Sequence, residues 1–307
     1  MVNEKTLNLL NRLKQTGPVS GSTLARELGV SRVTLWKRFE ALRAAGYPVV
    51  AGRSGYRLLA SDKPLPWEFP GDEGRIFHFE TLASTMDEAM KRGFEGLPDG
   101  AVVAERQSRG RGRDDRKWES SGGDLLVTLV IRPFLPLAYA GALGLEALAA
   151  LADTLSDLYG LELNLKWPND LMAGDRKVAG VLVEGWGDAS RPRFYTVGLG
   201  LNVHGLPDID RPAASLEGLG RPYADRRAIL AAWRMRMNRW SATPSPDPDR
   251  WAARCRFPSR IAVETFDGRT LAGIPQGFDR TGSLLLGRDR PIPIRYGEVR
   301  RTQGVPT

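Results

Sequence analysis

Two apolar runs, AVVA at 101–104 and LLVTLVI at 125–131, stand on either side of a stretch that neither a strand nor a helix can absorb: ERQSRGRGRDDRKW, residues 105–118. Short apolar runs rich in β-branched residues read as strands. Between them Arg106, Arg109, Arg111, Arg113, Arg116 and Lys117 face only Asp114 and Asp115 inside the loop. Guanidinium forks suit planar bidentate anions, a carboxylate or a phosphate. Gly110 and Gly112 let a backbone come close to a ligand and expose its N–H groups. A basic glycine loop hung between two strands is one way to hold a phosphoryl group. The same residues would equally make a solvated basic loop or a nucleic-acid patch.

The distribution of charge separates these readings. Residues 1–60 carry ten Lys/Arg against three Glu, whereas the remainder carries 34 against 33 within a net charge of +8. A nucleic-acid signal therefore belongs to the N-terminus, and the loop sits in a near-neutral body. In the basic segment Leu7, Leu10 and Leu13 recur on one helical face. Ser20 or Ser22 can cap a second helix, STLARELG, that stops at Gly29. Ser31 caps a third, SRVTLWKRFEALRAAG, with Leu35, Phe39 and Leu42 on its inner face. Its other face carries Arg32, Thr34, Lys37, Arg38 and Arg43, and a hairpin-like YPVVAGRSGYRLL containing Arg53 follows. The pattern is that of a winged helix-turn-helix, with a plain three-helix interaction module as the alternative. On the first reading Ser31, Arg32, Thr34, Lys37 and Arg38 face the major groove, with Arg53 near a phosphate.

Residues 61–74, with three prolines, read as a linker between a DNA-binding domain at 1–60 and an α/β domain at 75–255. Strand-like runs fall at 76–80, 101–106, 124–132, 161–167, 178–186 and 193–203, and helices at about 138–159 and 224–240. Long runs with few helices between them predict an α+β fold, a mixed sheet with helices on one face. Residues 256–307 alternate short β-like runs with turns such as DGRT and DRTG, the pattern of a small β-barrel. A chain of 307 residues that is 42% hydrophobic has ample core for two or three domains. No apolar run reaches the roughly 18 residues of a membrane span, and the N-terminal stretch lacks the apolar core of a signal peptide. Cys255 is the single cysteine, which excludes an internal disulfide, and the separated His78 and His204 argue against zinc. These features together predict a cytoplasmic protein.

Common nucleotide motifs fail: there is no GxxxxGK[ST], and Val203 stands where a dinucleotide fold wants its third glycine. Three other stretches carry chemistry. Residues 81–88, TLASTMDE, follow a strand and open a helix, where Ser84 is a ligand-binding hydroxyl or only a cap. KWPNDL at 166–171 gathers Lys166, Asn169 and Asp170, a set suited to an anion and hydrated Mg²⁺, or a simple β-turn. RKVAGVLVE at 176–184 starts an apolar strand with Lys177 and places Gly180 inside it, a mark of close approach by another group.

Together and in this order, the winged helix, Ser84-Thr85, Gln107 with GRGR at 110–113, Arg116-Lys117-Trp118, KWPNDL, RKVAGVLVE and GLGLN at 198–202 resemble the biotin protein ligases. The resemblance is to the bifunctional form that also represses transcription, and it spans the whole chain. It implies a C-terminal SH3-like barrel and a two-step reaction. Biotin and ATP give biotinyl-5′-adenylate and pyrophosphate, and the acyl group then passes to a lysine of the biotin carboxyl carrier protein of acetyl-CoA carboxylase.

The resemblance also implies the roles. Ser84, Thr85, Met86, Gln107 and Gly180 would line the biotin pocket, while Gly110, Arg111, Gly112 and Arg113 wrap the carboxylate and α-phosphate. Lys166 would act with Arg111 and Arg113 in catalysis. Arg116, Lys117, Trp118, Asn169, Lys177 and Asn202 fall on the ATP side, and Asn169 and Asp170 would hold Mg²⁺. Operator DNA and an adenylate-bound homodimer are the implied partners of the repressor. At two positions the chain departs from the family pattern: Met86 replaces an amide, and Asp115 replaces a glycine beside Asp114. The readings that compete are a lipoate-type ligase and a DNA-binding biotin sensor with weak or no ligase activity.

Overall fold

The computed structural model describes residues 4–300 except 16, 73, 114–115, 121, 207–211, 266–267, 288 and 296. Two compact units divide the chain after Gly74.

In the first unit, α1 (Glu4–Gln15), α2 (Gly21–Glu27) and α3 (Arg32–Ala44) precede a hairpin of β1 (Val49–Gly52) and β2 (Gly55–Leu58). The serines start their helices as the sequence requires. Ser20 Oγ accepts the Thr23 N–H and Ser31 Oγ accepts that of Thr34, each at 3.1 Å, and such a cap contributes about 1 kcal/mol. Leu9, Leu10, Leu13, Leu24, Leu35, Phe39 and Leu42 close the core. Phe39 stacks on Tyr56 with ring centroids 3.9 Å apart, which ties the hairpin to α3. Tyr56 also exchanges two backbone hydrogen bonds with Val19, and a Cβ on Gly55 would lie 2.2 Å from the Val19 carbonyl oxygen. Only glycine fits there. The winged helix-turn-helix reading of these residues holds.

The proline-rich stretch expected as a linker is packed onto this unit. Leu65 is buried in its core, Trp67 stacks on Tyr47, and Lys14 pairs with Glu68 at 2.9 Å. Its prolines shape a short 3₁₀ turn at Pro66–Glu68 rather than a free tether.

The second unit is built on β3 (Ile76–Leu82), α4 (Thr85–Phe94), β4 (Gly100–Gln107), β5 (Leu125–Ile131), α5 (Ala140–Tyr159), β6 (Asn164–Lys166), β7 (Asp170–Ala173), β8 (Arg176–Gly187), β9 (Pro192–Leu201), α6 (Arg226–Ala242) and α7 (Pro248–Ala253). Its seven-stranded sheet runs β3-β4-β5-β9-β8-β7-β6. β3 and β4 are parallel and the other neighbours antiparallel, so the sheet is mixed, as expected.

The expectation of helices on one face is corrected. Met86 of α4 lies over Gly198, while Gly144 of α5 meets Val183. Gly198 pairs with Leu182, and the strand alternates, so Val183 points the other way. α4 thus covers one face and α5, with α6 packed on it, the other. Every residue of β5 is buried accordingly. The strand expected at 161–167 is only Asn164–Lys166, because Trp167, Pro168 and Asn169 turn the chain into β7. That strand and α7 were not legible.

The C-terminal region holds β10 (Ile261–Glu264), β11 (Thr270–Gly273), β12 (Pro275–Phe278), β13 (Leu284–Leu286), β14 (Ile292–Ile294) and β15 (Glu298–Arg300). They form two three-stranded sheets, β11-β10-β15 and β12-β13-β14, and among the described residues no ladder joins them into a closed barrel. A turn of this region reaches the sheet domain. The Thr281 carbonyl accepts the Ala142 N–H at the start of α5, and the Gly282 carbonyl accepts the Trp167 indole N–H. That contact supports the turn behind Lys166.

Candidate active site and nucleic-acid interface

The face of the sheet under α4 is paved with glycine. Gly180 pairs with Gly200 across β8 and β9, and Gly198 follows two residues earlier. A Cβ at Gly200 would lie 2.3 Å from the Trp118 ring, and one at Gly198 would lie 2.6 Å from Met86 Sδ. The missing side chains make room for Trp118 and Met86 above the sheet. Gly200→Ala is accordingly expected to destabilise the chain by about 1–3 kcal/mol, the cost of overpacking, read as a lower urea midpoint. An unchanged midpoint would mean that the indole does not rest there.

Over this floor opens a cavity of about 280 Å³. Thr85, Met86, Gln107, Arg111, Gly112, Arg113, Arg116, Lys117, Trp118, Lys166, Asn169, Asp170, Lys177, Gly180 and Asn202 all line it, so the motifs separated in sequence converge. Ser84 and Gly110 do not line it.

Ser84 also fails as a cap. It holds the N-cap position of α4 with extended backbone, but its buried hydroxyl has no partner among the described residues. The Thr85 N–H is taken instead by Gln107 Oε1 at 2.6 Å, which also accepts the Thr85 hydroxyl at 3.0 Å. Thr128, below them on β5, donates to Thr85 Oγ1 at 2.9 Å. The basic loop is a tight hairpin of its own: Trp118 N–H donates to the Gly110 carbonyl and Gly112 N–H to that of Arg116. A Cβ at Gly110 would come within 2.8 Å of the Trp118 carbonyl oxygen. The two glycines therefore serve the approach of the loop's arms to each other. Asp114 and the departure at Asp115 lie outside the described residues.

The cations around the cavity are unequally held. Arg111 reaches Glu184 through two bonds, at 3.1 and 3.2 Å, and Asp87 at 3.0 Å. Arg113 donates to the Gly297 carbonyl, and Val299 lines the cavity, so the C-terminal region contributes to its wall. Lys177 pairs with Asp170 at 2.5 Å and stands 5.1 Å from the Trp118 ring centroid, where a cation is favoured. Lys117 pairs with Glu119. Lys166, exposed at the end of β6, has neither a carboxylate nor a hydrogen-bond partner among the described residues. The amide N–H groups of Asn202 are spent on the Lys177 and Ala214 carbonyls, and Asn169 Nδ2 donates to that of Val181. Sequence reasoning missed Glu184, Asp87 and Thr128. Only Asp87 carried a signal, as an acid in the first turn of α4.

Behind this wall a buried ionic cluster stiffens β4. Burial alone would raise the Glu105 carboxyl, but the His78 hydrogen bond and Arg226 at 2.9 Å hold it below the usual carboxylate range.

On the first unit, Ser31, Arg32, Thr34 and Lys37 are exposed on α3, and Arg53 is exposed in the turn of the β1–β2 hairpin. Arg38 is a correction: it is buried, on the same face as Leu35, Phe39 and Leu42. Arg43 is also turned to structural use, donating to the Val49 carbonyl and to Glu40. Two apolar residues that the charge pattern hid, Val33 and Trp36, stand out from α3 at 66% and 55% exposure. The surface offered is a helix with cations, a hydroxyl and two exposed apolar side chains.

Residues 79–202 match the Biotin/lipoate A/B protein ligase family, and residues 5–57 match an HTH domain. The bifunctional ligase/repressor BirA of Bacillus subtilis is 33% identical over 245 residues, covering 73% of this chain and 74% of that protein. The bifunctional ligase/repressor BirA of Escherichia coli is 30% identical over 300 residues, covering 91% and 92% respectively. Among solved structures, the biotin protein ligase of Aquifex aeolicus in complex with biotin and ATP superposes with a TM-score of 0.64 at 23% identity. That match covers 74% of this chain and 99% of that one, and it bears on the fold.

Proposed function

The chain belongs to the biotin protein ligase family, in its bifunctional ligase/repressor form, and from that premise we propose that it activates biotin with ATP, transfers it to a carrier lysine, and represses its operator. The observation that carries the reading is the convergence of Thr85, Gln107, Arg111, Arg113, Lys166 and Lys177 on one cavity. The pocket is polar at the Thr85–Gln107 end, which suits the ureido ring, and cationic at the other, which suits carboxylate and phosphates.

A biotin carboxylate oxygen attacks the α-phosphorus of ATP. The bond to the bridging oxygen breaks, and pyrophosphate leaves with that electron pair. Negative charge grows on the α-phosphoryl oxygens, and Lys166, with no partner to surrender, is placed to stabilise it. Arg111 and Arg113 would clasp the same groups, Arg111 exchanging Asp87 and Glu184 for the ligand. Arg116, Lys117 and Lys177 would meet the triphosphate, with Trp118 beside the base and Asn202 fixing Lys177. In the second step a carrier lysine amine attacks the acyl carbon and AMP leaves. No protein nucleophile is needed, because the adenylate is already the activated acyl group.

Asn169 and Asp170 fit Mg²⁺ of the kind that keeps its waters and arrives with phosphates, since their donors are few and Asp170 is the only carboxylate in the pair. Mg²⁺ would neutralise the triphosphate. Asn169 Nδ2 donates to the Val181 carbonyl, which leaves its oxygen for the ion. We place operator DNA on Ser31, Arg32, Thr34, Lys37 and Arg53. Closure of the 109–117 loop on the adenylate would favour a homodimer that spans two half-sites, by about 1–3 kcal/mol of coupling. The two steps of the reaction, activation and transfer, are separable by mass. Incubation with biotin, ATP, Mg²⁺ and a carboxyl carrier domain is expected to acylate one carrier lysine, seen in the intact mass. A carrier left unmodified while adenylate accumulates would remove the transfer step.

A further inference from the structure

Thr128 is completely buried in the middle of β5, in register with Val102 and Gly198, at positions where the strand needs only apolar bulk. A hydroxyl there must have a partner, and the one it has is Thr85 Oγ1 at 2.9 Å. The direction of every bond in this cluster is forced. The Thr85 N–H can only donate, so the group 2.6 Å from it must be the oxygen of the Gln107 amide. That oxygen can only accept, so the Thr85 hydroxyl 3.0 Å away gives it its proton. The Thr85 oxygen must then accept from Thr128. Gln107 lines the cavity, and with Oε1 engaged twice the part of its amide left to offer is Nε2, a donor beside Gly110 with no partner among the described residues.

We propose that Thr128 is a positioning residue: it anchors a relay through Thr85 that fixes the Gln107 amide as a hydrogen-bond donor toward a carbonyl oxygen of the ligand. The inference rests on the biotin reading of the pocket and deepens it, since the ureido group offers such an oxygen. Thr128 itself does not line the cavity. Without its proton the Thr85 hydroxyl faces an apolar group, is free to turn, and releases one of the two bonds that hold Gln107.

The test uses the full chain with Thr128→Val, which keeps the β-branched shape, and Thr128→Ser, which keeps the hydroxyl. Biotin binding is measured by calorimetry, and the KM for biotin and kcat by pyrophosphate exchange. Thr128→Val is expected to weaken biotin binding and raise KM by about tenfold or more, as for a buried acceptor left unmade, with kcat at saturating biotin close to wild type. Thr128→Ser should restore most of the affinity. Wild-type affinity in Thr128→Val overturns the inference. So does a loss shared by kcat and the thermal midpoint that serine fails to rescue, because that is packing. If the wild-type chain itself binds no biotin, the reading of the pocket falls first and the inference falls with it.

Discussion

Replacing Lys166 by alanine is expected to slow adenylate formation by on the order of 10²–10³, the usual effect of losing one preorganised donor to developing charge. Arg111 is held by two carboxylates and Lys177 by Asp170, so each must break an ion pair before it meets an anion. Lys166 has no such bond to break. Its main chain pairs with Asp170 in the β6–β7 hairpin, and the turn behind it is braced by Trp167 on Gly282. Neither interaction uses the lysine side chain, so the variant should keep the wild-type thermal midpoint. Exchange at saturating biotin and ATP reads the effect. A wild-type rate would remove Lys166 from the reaction.

Removing residues 1–74 is expected to abolish operator binding while leaving exchange intact. Within the first unit, residues 1–60 carry ten Lys/Arg against three Glu, and the unit closes its own core around Leu10, Phe39 and Leu42. The second has its own sheet and helices, and every residue lining the cavity belongs to it. Lys37→Ala in the full chain should weaken binding to operator duplexes selected in vitro. It should also flatten the salt dependence by about one unit, since one phosphate is no longer neutralised. Operator affinity that survives the deletion would move DNA recognition out of the winged helix.

What could be read from the sequence followed chemistry that is local. Ser20 and Ser31 cap their helices because a hydroxyl before an apolar helical pattern has one nearby N–H to meet. The convergence of GRGR, KWPNDL and RKVAG was implied by their resemblance, in that order, to the biotin protein ligases, since residue type alone left each stretch open to a plain loop or turn. Long-range contacts were not legible. Charge suggested that Arg38 faces DNA, yet 38 lies three residues from Leu35 and four from Leu42, on the buried stripe, where an arginine stem packs as a hydrocarbon. Ser84 looked like a cap, but Gln107 arrives from the end of β4 and takes the bond. The glycines of the basic loop were assigned to a ligand, whereas a Cβ at Gly110 would meet the loop's own opposite arm. The face of the sheet under α4 stayed hidden because sequence gives a strand's alternation but not what covers each side.

One cavity is proposed to join a biotin carboxylate to the α-phosphate of ATP, and everything else in the enzyme reading depends on it. The most direct test is exchange of labelled pyrophosphate into ATP by the purified chain, with and without biotin and with lipoate as the control. The expected exchange depends on biotin and Mg²⁺, saturates in biotin, and is absent with lipoate. Exchange with lipoate alone would make the chain a lipoate-type ligase. No exchange from a chain whose operator binding still responds to biotin would leave a sensor with no ligase activity, and would contradict the proposed reaction.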